Sequence, residues 1–146
     1  VVRARTRIQK LRRKTVGLGS MTAVLVVDNE PVILDGMKNL LEGWGCTVHL
    51  ARGQADANRV HDAALGRIDM ILADYHLDNE NGISLIQELR RRSRRHTPAI
   101  LITADRSPAV ADQTLANDIH LLRKPIKPAA LRAAMSHVAI KADAAE

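Results

Sequence analysis

The sequence predicts an open α/β fold: five parallel strands in one sheet, doubly wound with helices on both faces. Three observations lead there. From residue 22 onward, strand-like apolar runs alternate with helical patterns at spacings of about twenty to thirty residues, which makes five β-α units. The runs Val24-Leu25-Val26-Val27 and Met70-Ile71-Leu72-Ala73 are continuously apolar rather than alternating, as strands buried on both faces of a parallel sheet must be. Finally, 146 residues with 46% hydrophobic and 26% charged side chains make one ordinary domain, and no run approaches the ~20 apolar residues a membrane span needs.

The strands are expected at Ala23 to Asp28, Thr47 to Leu50, Asp69 to Asp74, Ala99 to Thr103 and His120 to Leu122. Helices are expected near Val32 to Glu42, Gln54 to Leu65, Ile83 to Arg94, Pro108 to Leu115 and Pro128 to Ile140. Asp28-Asn29-Glu30-Pro31 combines capping residues with a proline suited to a first helical turn, Gly43-Trp44-Gly45 stops the first helix, and Asn81-Gly82 makes a turn before the third. Right-handed crossovers then place helices on both faces. With Trp44 and Tyr75 as the only aromatics and no Phe, the core is packed by Leu, Ile, Val, Met and Ala, and stacking platforms for single-stranded nucleic acid are missing.

The formal charge of +6 is unevenly placed: residues 1–20 carry +7, and the other 126 residues hold 15 bases against 16 acids. Composition changes at Gly17-Leu18-Gly19-Ser20, so residues 1–20 read as a basic tail or linker and residues 21–146 as the domain. A tail docking on nucleic acid or an anionic membrane is the alternative, and strong salt dependence would distinguish it. A signal peptide is rejected, because Gly and Thr dilute the apolar stretch and its apolar half is needed as a strand. The single Cys46 excludes an internal disulfide and a multi-thiolate metal site, which fits a reducing, cytoplasmic setting.

In an open α/β sheet, ligands bind beyond the carboxyl ends of the strands. Strand one ends in Asp28, strand three in Asp74 and strand four in Thr103, while strand five runs into Lys124-Pro125. If the strands are parallel, two carboxylates, a hydroxyl and an ammonium converge on one edge although 46, 29 and 21 residues separate them in sequence. Such a set suits phosphoryl transfer to a carboxylate. A cation held by acids offsets phosphate charge, Lys and Thr bind equatorial oxygens, and one Asp oxygen attacks in line.

The segments Val26-Val27-Asp28-Asn29-Glu30-Pro31, Ile71-Leu72-Ala73-Asp74-Tyr75-His76-Leu77 with Gly82, Ile102-Thr103-Ala104 and Arg123-Lys124-Pro125 resemble the receiver domains of two-component response regulators. The resemblance covers residues 22 to 140 and implies a flavodoxin-like fold with strand order 2-1-3-4-5. It implies that Asp74 is the phosphoacceptor, charged from a phosphohistidine of a histidine kinase or phosphotransfer domain. It places Mg²⁺ with Asp28, Asn29, Asp74 and the backbone carbonyl of His76, and makes Thr103 and Lys124 the phosphoryl-binding pair beside a small Ala104. It makes Thr103 and Leu121 the switch positions and implies a cis bond before Pro125. Any catalysis is then self-phosphorylation and autodephosphorylation; kinase activity would belong to a longer hybrid sensor histidine kinase, whose carboxyl-terminal receivers Val27 to Val48 and Lys124-Pro125-Ile126-Lys127-Pro128 resemble. Since only Lys141 to Glu146 follow the fifth helix, no DNA-binding output domain is expected in this chain, and a homodimer is left open.

Two departures stand out. Asn29 occupies a position where the family usually has a second acid, so the metal site keeps an oxygen donor but loses a charge. Leu121 stands where many receivers have Tyr or Phe, and cannot reproduce their rotamer switch. Both motivate the alternative of a receiver-like interaction module that is not phosphorylated. An Asp-nucleophile phosphatase is a further rival, but it normally needs an acid two residues after the nucleophile, where His76 stands. Asp78-Asn79-Glu80-Asn81 reads as a solvated turn, Arg90 to Arg95 as a charged helix end far from the phosphoryl site, Cys46 as a small buried hydrophobe, and no histidine is assigned a site.

Overall fold

The computed structural model describes residues 22–145. The basic tail expected over residues 1–20 lies outside the described residues. Strand β1 (Ala23–Val27) is followed by α1 (Pro31–Gly43), β2 (Thr47–Ala51), α2 (Gln54–Ala63), β3 (Met70–Asp74), α3 (Gly82–Ser93), β4 (Ala99–Thr103), α4 (Pro108–Ala116), β5 (His120–Arg123) and α5 (Pro128–Ala145). All five strands pair in parallel, in the spatial order β2-β1-β3-β4-β5. The order reverses at β1, so the connections of β1 and β3 leave on opposite faces and a crevice opens between their carboxyl ends.

Alternate side chains of the apolar strands feed two cores. Leu25, Val27, Ile71, Ala73 and Leu101 pack under α2, α3 and α4, whereas Val24, Val26, Leu72, Ile100 and Ile102 pack under α1 and α5. The helices answer with Leu85, Ile86 and Leu89 from α3 on one face, and with Leu34, Leu41, Leu131 and Met135 from α1 and α5 on the other. Each buried Leu or Ile contributes about 1.5–3 kcal/mol of desolvation free energy, so the central strands fix the sheet. No helix among the described residues is long and apolar enough to cross a membrane.

The helix ends show how local sequence sets the loops. Pro31 and Pro108 open α1 and α4, Ser107 accepts a hydrogen bond from Val110 N, and Asn81 accepts one from Ser84 N at the start of α3. Glu30 occupies the cap of α1 without a side-chain bond; Asp28 Oδ1 instead accepts from Glu30 N at 2.8 Å. The second helix stops at Ala63, two residues earlier than its pattern predicts, because Leu65 and Gly66 turn left-handed with φ of 56° and 70°. The last helix continues past Ile140 to Ala145.

One segment departs from expectation. Asp78 to Asn81 is not merely a solvated turn: His76–Leu77 and Glu80–Asn81 pair as an antiparallel ribbon, with Leu77 buried. The ribbon is held from outside by Glu80, whose carboxylate accepts the N–H of Gln54 at the start of α2.

Candidate functional site

Strand register determines which side chains meet. Val27 pairs with Ala73, so the next positions, Asp28 and Asp74, reach the same sheet edge. On the other side of β3, Asp74 pairs with Ile102 and Thr103 with Arg123, which puts Thr103 and Lys124 at the edge as well. The chain is tied there by Tyr75 N donating to Ile102 O and Lys124 N donating to Thr103 O, both at 2.9 Å.

Asp74 and Lys124 make direct contact. The ammonium Nζ lies 3.1 Å from Asp74 Oδ1, with the carboxylate side chain only 9% exposed and the lysine 38%. The carboxylate is thus sheltered while the ammonium remains reachable. Asp28 is likewise buried, and desolvation pushes its carboxyl above the ordinary range. The Glu30 N–H opposes that rise, Asp74 adds to it, and Lys124 opposes it again. Two carboxylates within electrostatic reach of one ammonium leave one negative charge in excess.

Asn29 lies beside them with its amide engaged: Nδ2 donates to Asp78 Oδ1 at 2.7 Å. Its Oδ1 therefore faces away from Asp78. Thr103 is fully buried, and its Oγ1 accepts Asp105 N at 2.9 Å, so the hydroxyl proton is left to donate. Asp105 is fixed in turn by Ser107 N donating to its Oδ1 at 2.7 Å and by Arg123 donating to its carbonyl at 2.8 Å. Hydrogen bonding from the Ser107 backbone, and then from its side chain, holds the Asp105 carboxyl below the usual range. Ala104 is exposed and leaves the approach to the edge open.

His76 is exposed at the start of the ribbon, with its ring edge-on to Tyr75 at 4.8 Å. Leu121 is half-buried and packs against the α2-α3-α4 core. The Lys124–Pro125 peptide bond is cis. Among the described residues, no three His, Cys, Asp or Glu side chains converge as a metal cluster; the buried carboxylates at this edge are Asp28 and Asp74. A cleft of about 510 Å³ lined by His96, Asp118, His120, His137 and Lys141 lies at the opposite edge, where β4 and β5 begin, and contains none of these residues. Cys46 is buried, and burial pushes its thiol up, away from reactivity.

Sequence reasoning missed two sets of contacts. The ribbon joins the site through Asp78, bonded to Asn29 49 positions away, and is tied to the start of α2 through Glu80, bonded to Gln54 N 26 positions away. Arg90 is not part of a solvated basic face: its guanidinium donates to the carbonyls of Thr97 at 3.0 Å, Asn117 at 2.6 Å and Asp118 at 3.0 Å. Arg90 opens the run Arg90-Arg91-Arg92, and its neighbours share its chemistry, so the sequence carries no signal that singles out this clasp.

Comparison with known proteins agrees with the geometry. The family model described as "response regulator receiver domain" matches residues 24–136. The chain is 30% identical over 83 residues to the sensor kinase CckA of Brucella abortus, covering 57% of this chain and 9% of that protein. It is 28% identical over 111 residues to the two-component response regulator PprB of Pseudomonas aeruginosa, covering 73% of this chain and 39% of that one. It thus spans well under half of the curated relatives it matches. Among solved structures, a response regulator receiver domain from Clostridium thermocellum superposes with a TM-score of 0.77 at 23% identity, covering 86% of this chain and all of that one. The chemotaxis protein CheY4 of Vibrio cholerae superposes with a TM-score of 0.73 at 26% identity, covering 81% and 98%. A family model spanning most of the chain, on a sheet of matching topology, establishes that this chain belongs to the response regulator receiver domain family of two-component signalling.

Proposed function

We propose that this receiver domain accepts a phosphoryl group on Asp74 from a phosphohistidine, in a Mg²⁺-dependent transfer. The contact between Lys124 Nζ and Asp74 Oδ1 at 3.1 Å carries the reading, because it sets a cation beside the one carboxylate at the centre of the edge. A carboxylate oxygen of Asp74 attacks phosphorus in line with the donor nitrogen; the P–N bond breaks, an acyl phosphate forms and the imidazole leaves with the bonding pair. Lys124 exchanges part of its contact with Asp74 for a phosphoryl oxygen. Thr103, released from the Asp105 amide, donates its hydroxyl proton to another. Exposed Ala104 presents no side chain that obstructs the incoming group.

The donor set fits Mg²⁺. It is made of oxygen alone, with an excess negative charge, and Asp28 is held at a cost that a divalent cation relieves. Asp28, Asn29 Oδ1, Asp74 and the carbonyl of His76 would hold the ion, which supplies charge against the phosphoryl oxygens when bound. The donor is a histidine kinase or phosphotransfer domain, and the setting is the cytoplasm, where Cys46 stays reduced. The similarity to a sensor kinase is compatible with a receiver carried in a longer hybrid kinase.

Incubation with acetyl phosphate and Mg²⁺ tests this reading. Intact mass should rise by one phosphoryl group, and the rise should vanish in Asp74→Asn and on chelation of the metal. A folded wild-type protein that gains no phosphoryl group would support instead a non-phosphorylated interaction module, to which Asn29 and Leu121 already point.

A further inference from the structure

We propose that Asp78 is a positioning residue for the metal site, acting through Asn29; this rests on the Mg²⁺-dependent reading above. A neutral amide is a weaker ligand than the carboxylate it replaces, and it has a defect a carboxylate lacks, since only one of its two terminal atoms can bind a cation. Rotation by half a turn would present an NH₂ group to the metal. Asp78 removes that freedom. A carboxylate can face the amide only through its donor, so the 2.7 Å bond from Asn29 Nδ2 to Asp78 Oδ1 fixes which end is which and leaves Oδ1 turned away from Asp78. That oxygen makes no hydrogen bond among the described residues.

The arrangement is built rather than incidental. Asp78 is at the turn of the His76–Leu77 and Glu80–Asn81 ribbon, 49 residues from Asn29 in sequence. Buried Leu77 fixes the strand before the turn, and the bond from Gln54 N to the Glu80 carboxylate fixes the strand after it. Asp78 is therefore delivered to Asn29 by a ribbon anchored on both sides, and Asn29 is held in its ligating orientation before the metal arrives.

Calorimetric titration of the intact chain with Mg²⁺ tests this, with Mg²⁺-free thermal unfolding showing that each variant is folded. Asp78→Ala should weaken Mg²⁺ binding about tenfold, the lower end of what loss of such supporting partners costs. Asp78→Asn, whose amide can meet Asn29 Nδ2 with its oxygen or Asn29 Oδ1 with its NH₂, no longer fixes which end of Asn29 faces the metal and should also weaken binding. In an Asn29→Ala background, Asp78→Ala should have no further effect. An undiminished loss in the Asn29→Ala background would show a role for charge alone and overturn the proposal, as would full affinity in Asp78→Asn or no loss at all in Asp78→Ala. A wild-type chain that binds no Mg²⁺ would overturn the functional reading together with this one, whereas tight wild-type binding unaffected by Asp78→Ala overturns this one only.

Discussion

Gly82 sits directly against the backbone carbonyl of Asp74. A methyl group at position 82 would overlap that oxygen and approach Leu101 Cδ1 to 2.7 Å, while Gly82 N already donates to Tyr75 O at 2.9 Å. The first residue of α3 thus packs against the main chain that carries the proposed phosphoacceptor. Gly82→Ala should destabilise the fold by about 1–3 kcal/mol, as overpacking does, and should also slow phosphorylation by acetyl phosphate. Denaturant unfolding and the rate of mass gain measure the two effects separately.

Asp28 should be a residue that weakens the fold it serves. Its folded carboxyl titrates above the unfolded one, so the folded state holds the extra proton and stability falls as pH rises out of the ordinary carboxylate range. Asp28→Asn keeps an acceptor for Glu30 N and removes the buried charge. Its Tm at neutral pH should rise by a few degrees, the gain should disappear below about pH 4, and Mg²⁺ binding should be lost. An unchanged or lower Tm at neutral pH contradicts the argument.

His120 and His61 give the opposite dependence. Burial lowers both, and His137 and Lys141 lower His120 further. In each case the unfolded chain binds the proton first, so stability is full above about pH 6.5 and is lost on acidification from there toward the lower folded value. Chemical unfolding at pH 7.5 and pH 5.5 should show this loss, and His120→Gln should reduce it.

Arg90 should behave unlike its neighbours. Removing the guanidinium in Arg90→Met strips three carbonyls of their donor and should cost about 2 kcal/mol, with Asp74 phosphorylation retained at temperatures where the variant is folded. The exposed Arg92, paired with Asp62 at 2.8 Å on the surface, should cost under about 1 kcal/mol when changed to Ala.

These cases show what a sequence exposes and what it hides. Asp28, Asp74, Thr103 and Lys124 were legible because apolar runs mark parallel strands, and the residue at the end of each run must reach one edge. The ribbon was not legible. Asp78 and Glu80 are polar residues in a polar stretch, and what gives them structure is a bond to Asn29 and a bond to Gln54 N, neither of which leaves a hydrophobic period. Arg90 was hidden by its neighbours, since the exposed Arg91, Arg92, Arg94 and Arg95 share its chemistry but not its burial. The early stop of α2 was hidden by Leu65, which continues the apolar pattern yet is left-handed and exposed.

Locating the phosphoryl group tests the central claim most directly. After treatment with acetyl phosphate and Mg²⁺, borohydride converts an aspartyl phosphate to homoserine, and peptide sequencing by mass then reports the modified position. The account predicts a single conversion at residue 74, absent in Lys124→Met under the same brief exposure. Conversion at another carboxylate, or none in a folded chain, would contradict it.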